Sequence, residues 1–416
     1  MEPSISLPEQ REMLLETYNH ASITDLPTPS FVVDLNVVKD NCRRMLDGLE
    51  AISPNLRFRP HVKTHKTAEI VRLQLDNGRK HQSLLSSTIG EIRGLAPLVQ
   101  DGTVKDILYG IPPTKSKIPT VAGIAQQLHQ FGATLRLMID SPVQLQFLRD
   151  YSQNHPNHSL SWSIFIKINV GDNRAGQTIA GSDLTEVIKQ AVVAENIGLY
   201  GFYTDASGIY SSTSFDSASE FLENEVRNVY EASALARSML LASEAGQQRF
   251  AVSHTSAKAF ERTKNLFTNV MENDDLEIHA GNYAMLDMQQ VATSLVSPSN
   301  IAGRVVAEVI TYYSDRNEEL GRIPGIATIK GQRVSGERWI VGRVSQEHGI
   351  ITKRTENIEN VLEEALDEAT IPKSWTPGDR VVLLPQHSCI TSSMYQWYYV
   401  VENDIVVDVF VPWRGW

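Results

Sequence analysis

Cysteine is nearly absent from this chain: Cys42 and Cys389 are the two found in 416 residues. Two thiols this far apart make no disulfide framework, which excludes the small secreted scaffolds and fits a reducing, cytoplasmic compartment. Cys42 reads as a buried structural thiol. Long apolar runs are also missing. No stretch approaches the ~18 apolar residues of a membrane span, and Met1 to His20 carries acids and no apolar segment, so neither a membrane anchor nor a secretory signal is expected. Positive charge is in deficit, with 38 Lys and Arg against 49 Asp and Glu for a net −11. That balance argues against nucleic acid or anionic lipid as the main partner and leaves a small molecule.

What is present is globular: 42% hydrophobic and 21% charged residues, in a chain too long for one ordinary core. From Phe31 to about Asp287, short β-rich runs alternate with helical patterns. The strand candidates are Phe31–Leu35, Leu56–Val62, Gln82–Ser86, Asp106–Gly110, Leu135–Ile139, Ile164–Val170, Leu199–Tyr203, Phe250–His254 and Leu276–His279. Helical patterns lie between them, including Val37–Leu49, Glu91–Val99 and Leu184–Glu195, and several end at a glycine suited to a left-handed cap, such as Gly78, Gly102 and Gly132. This alternation predicts parallel strands joined by right-handed crossovers. About 260 residues is the usual size of a (β/α)8 TIM barrel. An open doubly wound sheet is the alternative, weakened because no GxGxxG follows the first strand. There is one strand more than a barrel uses.

After Asn300 the texture changes to β-branched and aromatic runs at Ile301–Tyr313, Arg338–Val344, Arg380–Leu384, Met394–Val401 and Ile405–Val411, punctuated by Pro324-Gly325, Pro377-Gly378 and Asn403-Asp404. Only Ile358–Ala369 reads as helical there. The expected division is an N-terminal extension over 1–27, a barrel over 28–295 and a smaller C-terminal β domain over 296–416.

Two stretches carry most of the chemistry. Arg59-Pro60-His61-Val62-Lys63-Thr64-His65-Lys66 puts Lys63 at the C-terminal end of an early strand, where barrel enzymes build their sites. Its basic neighbours Arg59, His61, His65 and Lys66 favour the nucleophilic free amine. Near the other end, Pro385-Gln386-His387-Ser388-Cys389 reads as a continuing strand, on which residues two apart share a face. An imidazole and a thiolate so placed suit zinc, with positions left for water or substrate. Further candidates line the same strand ends. Arg174 hangs from the loop Gly171–Gly176 and can meet a phenolate, a ring nitrogen or a carboxylate. Tyr203 ends a strand. Ser253, Thr255 and Ser256 follow another, and Gly281, Asn282 and Tyr283 follow the last, where barrels bind phosphate through backbone N–H groups.

Taken together, Thr28-Pro29-Ser30-Phe31-Val32-Val33-Asp34-Leu35, Arg59–Lys66, His279–Tyr283, Ser345-Gln346-Glu347-His348-Gly349 and His387-Ser388-Cys389 resemble the D-serine dehydratase and D-threonine aldolase family over nearly the whole chain. The resemblance implies fold type III, the alanine-racemase-like barrel plus β domain. In relatives, the strand near residues 31–35 leaves the barrel for the β domain. It also implies pyridoxal 5′-phosphate on Lys63, which is the catalytic residue, with His61, Arg174, Tyr203, Ser253, Thr255, Ser256, Gly281, Asn282 and Tyr283 as cofactor-binding residues. Zinc on His387 and Cys389 and a homodimer are implied as well. Cysteine rather than aspartate at position 389 is similar to the eukaryotic-type dehydratases, so D-serine to pyruvate and ammonia is the expected reaction. A retro-aldol cleavage of D-threonine type and a non-catalytic cofactor-binding protein are the alternatives. Three stretches depart from the family's pattern: Thr204-Asp205-Ala206-Ser207-Gly208 lacks a histidine, Thr255-Ser256-Ala257-Lys258 replaces a Gly-Ser-Thr-Pro-like loop, and Ile323-Pro324-Gly325 replaces an Asp-Ala-Gly stretch.

Overall fold

In the computed structural model, the described residues are 7–156, 160–171, 173–205, 215–240, 250–254, 274–292, 296–313, 318–321, 327–334, 337–345, 348–355 and 375–415. The chain divides into two compact units. One comprises Met1–Arg44, Thr64–Ile70 and Asn282–Trp413; the other comprises Met45–Lys63, Val71–Gly281 and Arg414–Trp416. The first strand, β1 (Ser30–Asp34), belongs to the former.

The second unit is a parallel barrel. Its strands are β2 (Arg57–Phe58), β3 (Ser83–Ser86), β4 (Asp106–Tyr109), β5 (Thr134–Ile139), β6 (Trp162–Lys167), β7 (Ile197–Tyr203), β8 (Ala251–His254) and β9 (Asp275–Ile278), in the order β2-β9-β8-β7-β6-β5-β4-β3. Pro60 supplies no N–H to a ladder, which shortens β2. The chain beyond it still closes the ring: Leu85 N donates to Pro60 O at 2.9 Å and Val62 N donates to Leu85 O at 3.1 Å. Eight strands leave an interior that side chains fill in layers. Leu85, Leu108, Met138, Phe165, Tyr203 and Ala251, one from each of six strands, form an apolar layer. Towards the strands' N-terminal ends the filling is ionic. Arg59, with no exposed surface, bonds Glu277 and Asp106 at 2.7 Å each, and Arg136 joins Asp106 at 2.7 Å. Burial opposes the charge on Arg59, but Asp106 and Glu277 outweigh it and hold the guanidinium above its ordinary value. Burial likewise opposes ionisation of Glu277, and Arg59 and His279 pull its carboxyl well below the usual carboxylate range. The predicted cap glycines Gly78, Gly102 and Gly132 have φ of 74°, 81° and 71°.

The first unit is built on a nine-stranded sheet. Besides β1 it contains β10 (Gly303–Tyr313), β11 (Glu318–Gly321), β12 (Ala327–Val334), β13 (Glu337–Val344), β14 (Gly349–Thr355), β15 (Arg380–Pro385), β16 (Tyr398–Glu402) and β17 (Ile405–Phe410). The order is β11-β14-β13-β12-β15-β10-β1-β16-β17, with β1 antiparallel to β10 and parallel to β16. Asn403 and Asp404, with φ of 51° and 61°, make the two-residue turn between β16 and β17. Ile23, Leu26, Val32, Val306, Tyr399, Val401, Val406 and Val409 form a buried cluster, and Arg11 of the helix Leu7–Tyr18 pairs with Asp408 at 2.7 Å.

Two expectations need correction. Glu91–Val99 is not one helix but two, Ile89–Gly94 and Ala96–Gln100, the second opening around Pro97. His387 and Cys389 are not on a strand. The strand β15 stops at Pro385, His387 is the N-cap of the helix Ser388–Ser393, and Cys389 lies in its first turn. The expected helix Ile358–Ala369 and the stretch Ile323–Gly325 lie outside the described residues.

Candidate active site

Strand alternation sets which side chains stand above the apolar layer of the barrel. Two residues beyond Leu85, Phe165 and Tyr203 come Ser87, Lys167 and Asp205 at the C-terminal rim. His61 and Lys63 reach the same rim from the segment after β2, and Gly281 comes just after β9. Lys63 N donates to His61 Nδ1 at 3.1 Å, and His61 Nε2 lies 3.0 Å from Ser87 Oγ. Gly281 packs closely on His61: a Cβ at 281 would come to 3.0 Å from His61 Cβ, so the histidine would have to give by a few tenths of an ångström.

Charge gathers at this rim. Arg174 pairs with Asp205 at 2.6 Å, and Lys167 Nζ lies 5.5 Å from the centre of the Tyr203 ring. Burial opposes ionisation of Asp205, yet Lys63, Arg174 and Lys167 together hold its carboxyl below the ordinary range. Three cations therefore face one carboxylate. The Tyr203 ring also packs against His279, centroids 5.1 Å apart, and His279 Nε2 donates to Glu277 at 2.6 Å. Of the basic residues around Lys63, Arg59 pairs with Glu277 and Asp106, and His65 Nδ1 accepts from Thr67 N at 3.2 Å.

The other unit holds the imidazole and the thiol. His387 Nδ1 is hydrogen-bonded to Gln289 Oε1, which puts the proton on Nδ1 and the lone pair on Nε2. Cys389 Sγ lies 3.0 Å from Thr64 Oγ1, and Ser392 Oγ donates to Thr64 O at 2.6 Å. Asp287, fully buried, ties the surroundings together. It accepts from Asn282 Nδ2 at 2.5 Å, Ser388 N at 3.0 Å and Gln290 N at 3.2 Å. Burial pushes its carboxyl up, against the opposing pull of these donors and His387. Burial also pushes the Cys42 thiol up to about 12, with Tyr283 pulling the other way.

Residues 33–257 match the family described as "Alanine racemase, N-terminal domain", and residues 302–401 match "Putative serine dehydratase domain". The D-serine dehydratase of Schizosaccharomyces pombe is 35% identical, over 98% of this chain and 96% of that one. The chain belongs to the D-serine dehydratase family. The D-serine dehydratase of Saccharomyces cerevisiae is 31% identical over 97% of this chain and 99% of its own. In fold, the chain is similar to the D-threo-3-hydroxyaspartate dehydratase of Delftia sp. HT23, with a TM-score of 0.72, 22% identity and coverage of 95% of this chain and 100% of that one.

In this D-serine dehydratase family member, the barrel rim brings together Lys63, His61, Arg174, Tyr203 and Gly281 of the residues singled out from sequence. Ser253 lies on β8 opposite Glu277 in the ladder. Thr255 and Ser256 lie outside the described residues. Asn282, Tyr283, His387 and Cys389 belong to the other unit. The sequence reading missed Ser87, Lys167, Asp287 and any role for Asp205. Counting two residues on from each strand's last inward apolar side chain finds the rim residues Ser87, Lys167 and Asp205.

Proposed function

We propose that this chain is a pyridoxal-phosphate- and zinc-dependent lyase that eliminates water from a D-β-hydroxy amino acid, turning D-serine into pyruvate and ammonia. Its curated relatives named D-serine dehydratase support the reaction. The observation that carries the reading is the rim itself, a primary amine among Arg174, Lys167 and a single carboxylate at the C-terminal mouth of a closed parallel barrel. That donor set fits an anionic carbonyl cofactor: Lys63 offers the amine, Arg174 and Lys167 the positive charge, and Gly281 the clearance. Among the described residues, no group of three or more His, Cys, Asp or Glu side chains could hold a metal ion. His387 and Cys389 are nevertheless donors of the kind zinc takes, and the reading assigns the metal to them, with Gln289 fixing the imidazole tautomer. A D-threo-3-hydroxyaspartate dehydratase has been solved as a histidine-to-alanine variant and, two positions on, as a cysteine-to-alanine variant in the metal-free form, a spacing that His387 and Cys389 repeat.

When bound, pyridoxal phosphate supplies an electron sink for the pair left at Cα, and zinc supplies Lewis-acid charge for the departing hydroxide. Lys63 would hold the cofactor, and its amine, when free, would take the proton from Cα. Arg174 stays charged and stabilises negative charge on the cofactor without giving up a proton, and Asp205 holds it in place. His61 fixes the backbone of Lys63, and Tyr203 walls the mouth. Loss of water leaves an enamine that hydrolyses to pyruvate and ammonia. The enzyme works as a cytoplasmic homodimer in this reading. Among the described residues, no helix is long and apolar enough to cross a membrane.

The test is Lys63→Ala. Protein incubated with pyridoxal phosphate should show a bound-cofactor absorbance band that the variant lacks, and the variant should lose turnover by a factor of at least about 10³. A variant that keeps both the band and the activity refutes the assignment.

A further inference from the structure

The rim residue Ser87 lies outside every motif that the sequence offered, and its neighbours decide where its hydroxyl proton goes. A backbone N–H is only a donor, so the 3.1 Å contact from Lys63 N makes His61 Nδ1 the acceptor and leaves the imidazole proton on Nε2. That Nε2–H then donates to Ser87 Oγ at 3.0 Å. The serine backbone is fastened as well: Ser87 N donates to Glu91 Oε2 at 2.6 Å, and Glu91 N in turn donates to the Oγ1 of the helix N-cap Thr88 at 3.1 Å. With Oγ accepting from His61, the Ser87 O–H has to point away from the imidazole. Among the described residues, Oγ makes no other hydrogen bond. Ser87 is half-buried and lies just past the end of β3, two positions after Leu85 of the apolar layer.

We propose that Ser87 is a ligand-binding residue of the barrel mouth, a hydrogen-bond donor that His61, as its Nε2–H tautomer, aims at an anionic oxygen of the bound molecules. The oxygen is either the substrate carboxylate or the phenolate of the cofactor, and for the identity of these molecules the inference rests on the function proposed above. His61 acts through the serine and is a positioning residue.

The tautomer is read first, on the cofactor-free chain, by ¹⁵N NMR of the histidine side chains with His61→Asn as the assignment control. A bare Nδ1 and a protonated Nε2 are expected; the reverse pattern overturns the proposal. Because no cofactor is involved, this result stands whatever becomes of the proposed reaction. The second arm uses protein loaded with pyridoxal phosphate and, as substrate analogue, D-alanine, which has no β-hydroxyl to lose. Ser87→Ala should weaken one of the two ligands roughly tenfold, as expected for one lost hydrogen bond. His61→Asn, which keeps an acceptor for Lys63 N but has nothing at the Nε2 position, should match it. Ser87→Thr, with its hydroxyl retained, should stay within about twofold of the parent. The double variant Ser87→Ala/His61→Asn should be no weaker than Ser87→Ala alone. Weaker D-alanine binding with an unchanged cofactor spectrum identifies the carboxylate, and a shifted spectrum with looser cofactor identifies the phenolate. No change in Ser87→Ala, or losses that add in the double variant, overturns the assignment. A parent chain that takes up no pyridoxal phosphate overturns the named ligands and the proposed function together, and leaves the tautomer as measured.

Discussion

His81 is buried ahead of β3, its ring 5.6 Å from that of Phe58. Burial, reinforced by Lys80, pushes it from an ordinary 6.5 down to about 4. The unfolded chain therefore takes up this proton first. The contribution of a neutral His81 to stability is complete above pH 6.5 and drains away as pH falls to about 4, by about 3 kcal/mol at most. Urea midpoints measured across that window should fall more steeply for the parent than for His81→Gln, and equal slopes would clear His81 of the effect. At the proposed metal site the relevant change is Cys389→Ala. Zinc content by elemental analysis should drop to background and turnover with it, while cofactor absorbance is retained; full turnover without zinc would remove the Lewis acid from the mechanism. Lys63 and Arg174 are legible in the sequence because each sits in a short stretch after a readable strand. Asp205, Lys167 and Ser87 were not, because nothing in their immediate sequence marks them. Their meaning comes from the barrel's layering, which brings Lys167 to the Tyr203 ring and Asp205 to Arg174. The pairing of Arg59, four residues before Lys63, was equally invisible: its partners Glu277 and Asp106 are distant in sequence.

The barrel strands were readable because a strand buried on both faces is a short, continuous β-branched run between glycine-capped helices, and β3 to β9 each fall on such a run. The strands β11, β12 and β14 were missed. Their sequences, EELG, ATIKGQRV and GIITKRT, are polar or interrupted by glycine, and they are strands because antiparallel partners supply the ladder. Ser388–Ser393 deceived in the opposite direction. Its first residues, Ser388 and Cys389, were read as continuing the strand, yet its hydroxyls bond back into the helix, Thr391 Oγ1 to His387 O at 3.1 Å and Ser393 Oγ to Ile390 O at 2.7 Å. Among the described glycines, Gly201 leaves the least room for a side chain: a Cβ there would lie 2.1 Å from Ala251 O. Gly201→Ala should therefore separate β7 from β8 and cost at least about 3 kcal/mol. Thermal melting that stays within a degree of the parent would show that the strands are not so closely apposed.

For the whole molecule, the order of the chain is not the order of its contacts. Residues from the start of the sequence and the short stretch Thr64–Ile70 cluster with Asn282–Trp413, so Lys63 and its neighbour Thr64 fall in different units. The fold class could be read from the alternation of elements, but this interleaving could not, since composition changes only once along the chain, near Asn300. The acidic balance of −11 leaves the rim of the barrel as an exception, a local excess of positive charge suited to a small anionic molecule. The most direct test of the account is the product released from D-serine by the purified chain supplied with pyridoxal phosphate and zinc. Pyruvate and ammonia in equal amounts are expected, lost on chelation and restored by zinc, with D-threonine giving no glycine and acetaldehyde. Glycine and acetaldehyde from D-threonine with no pyruvate from D-serine, or pyruvate production indifferent to chelation, would contradict it.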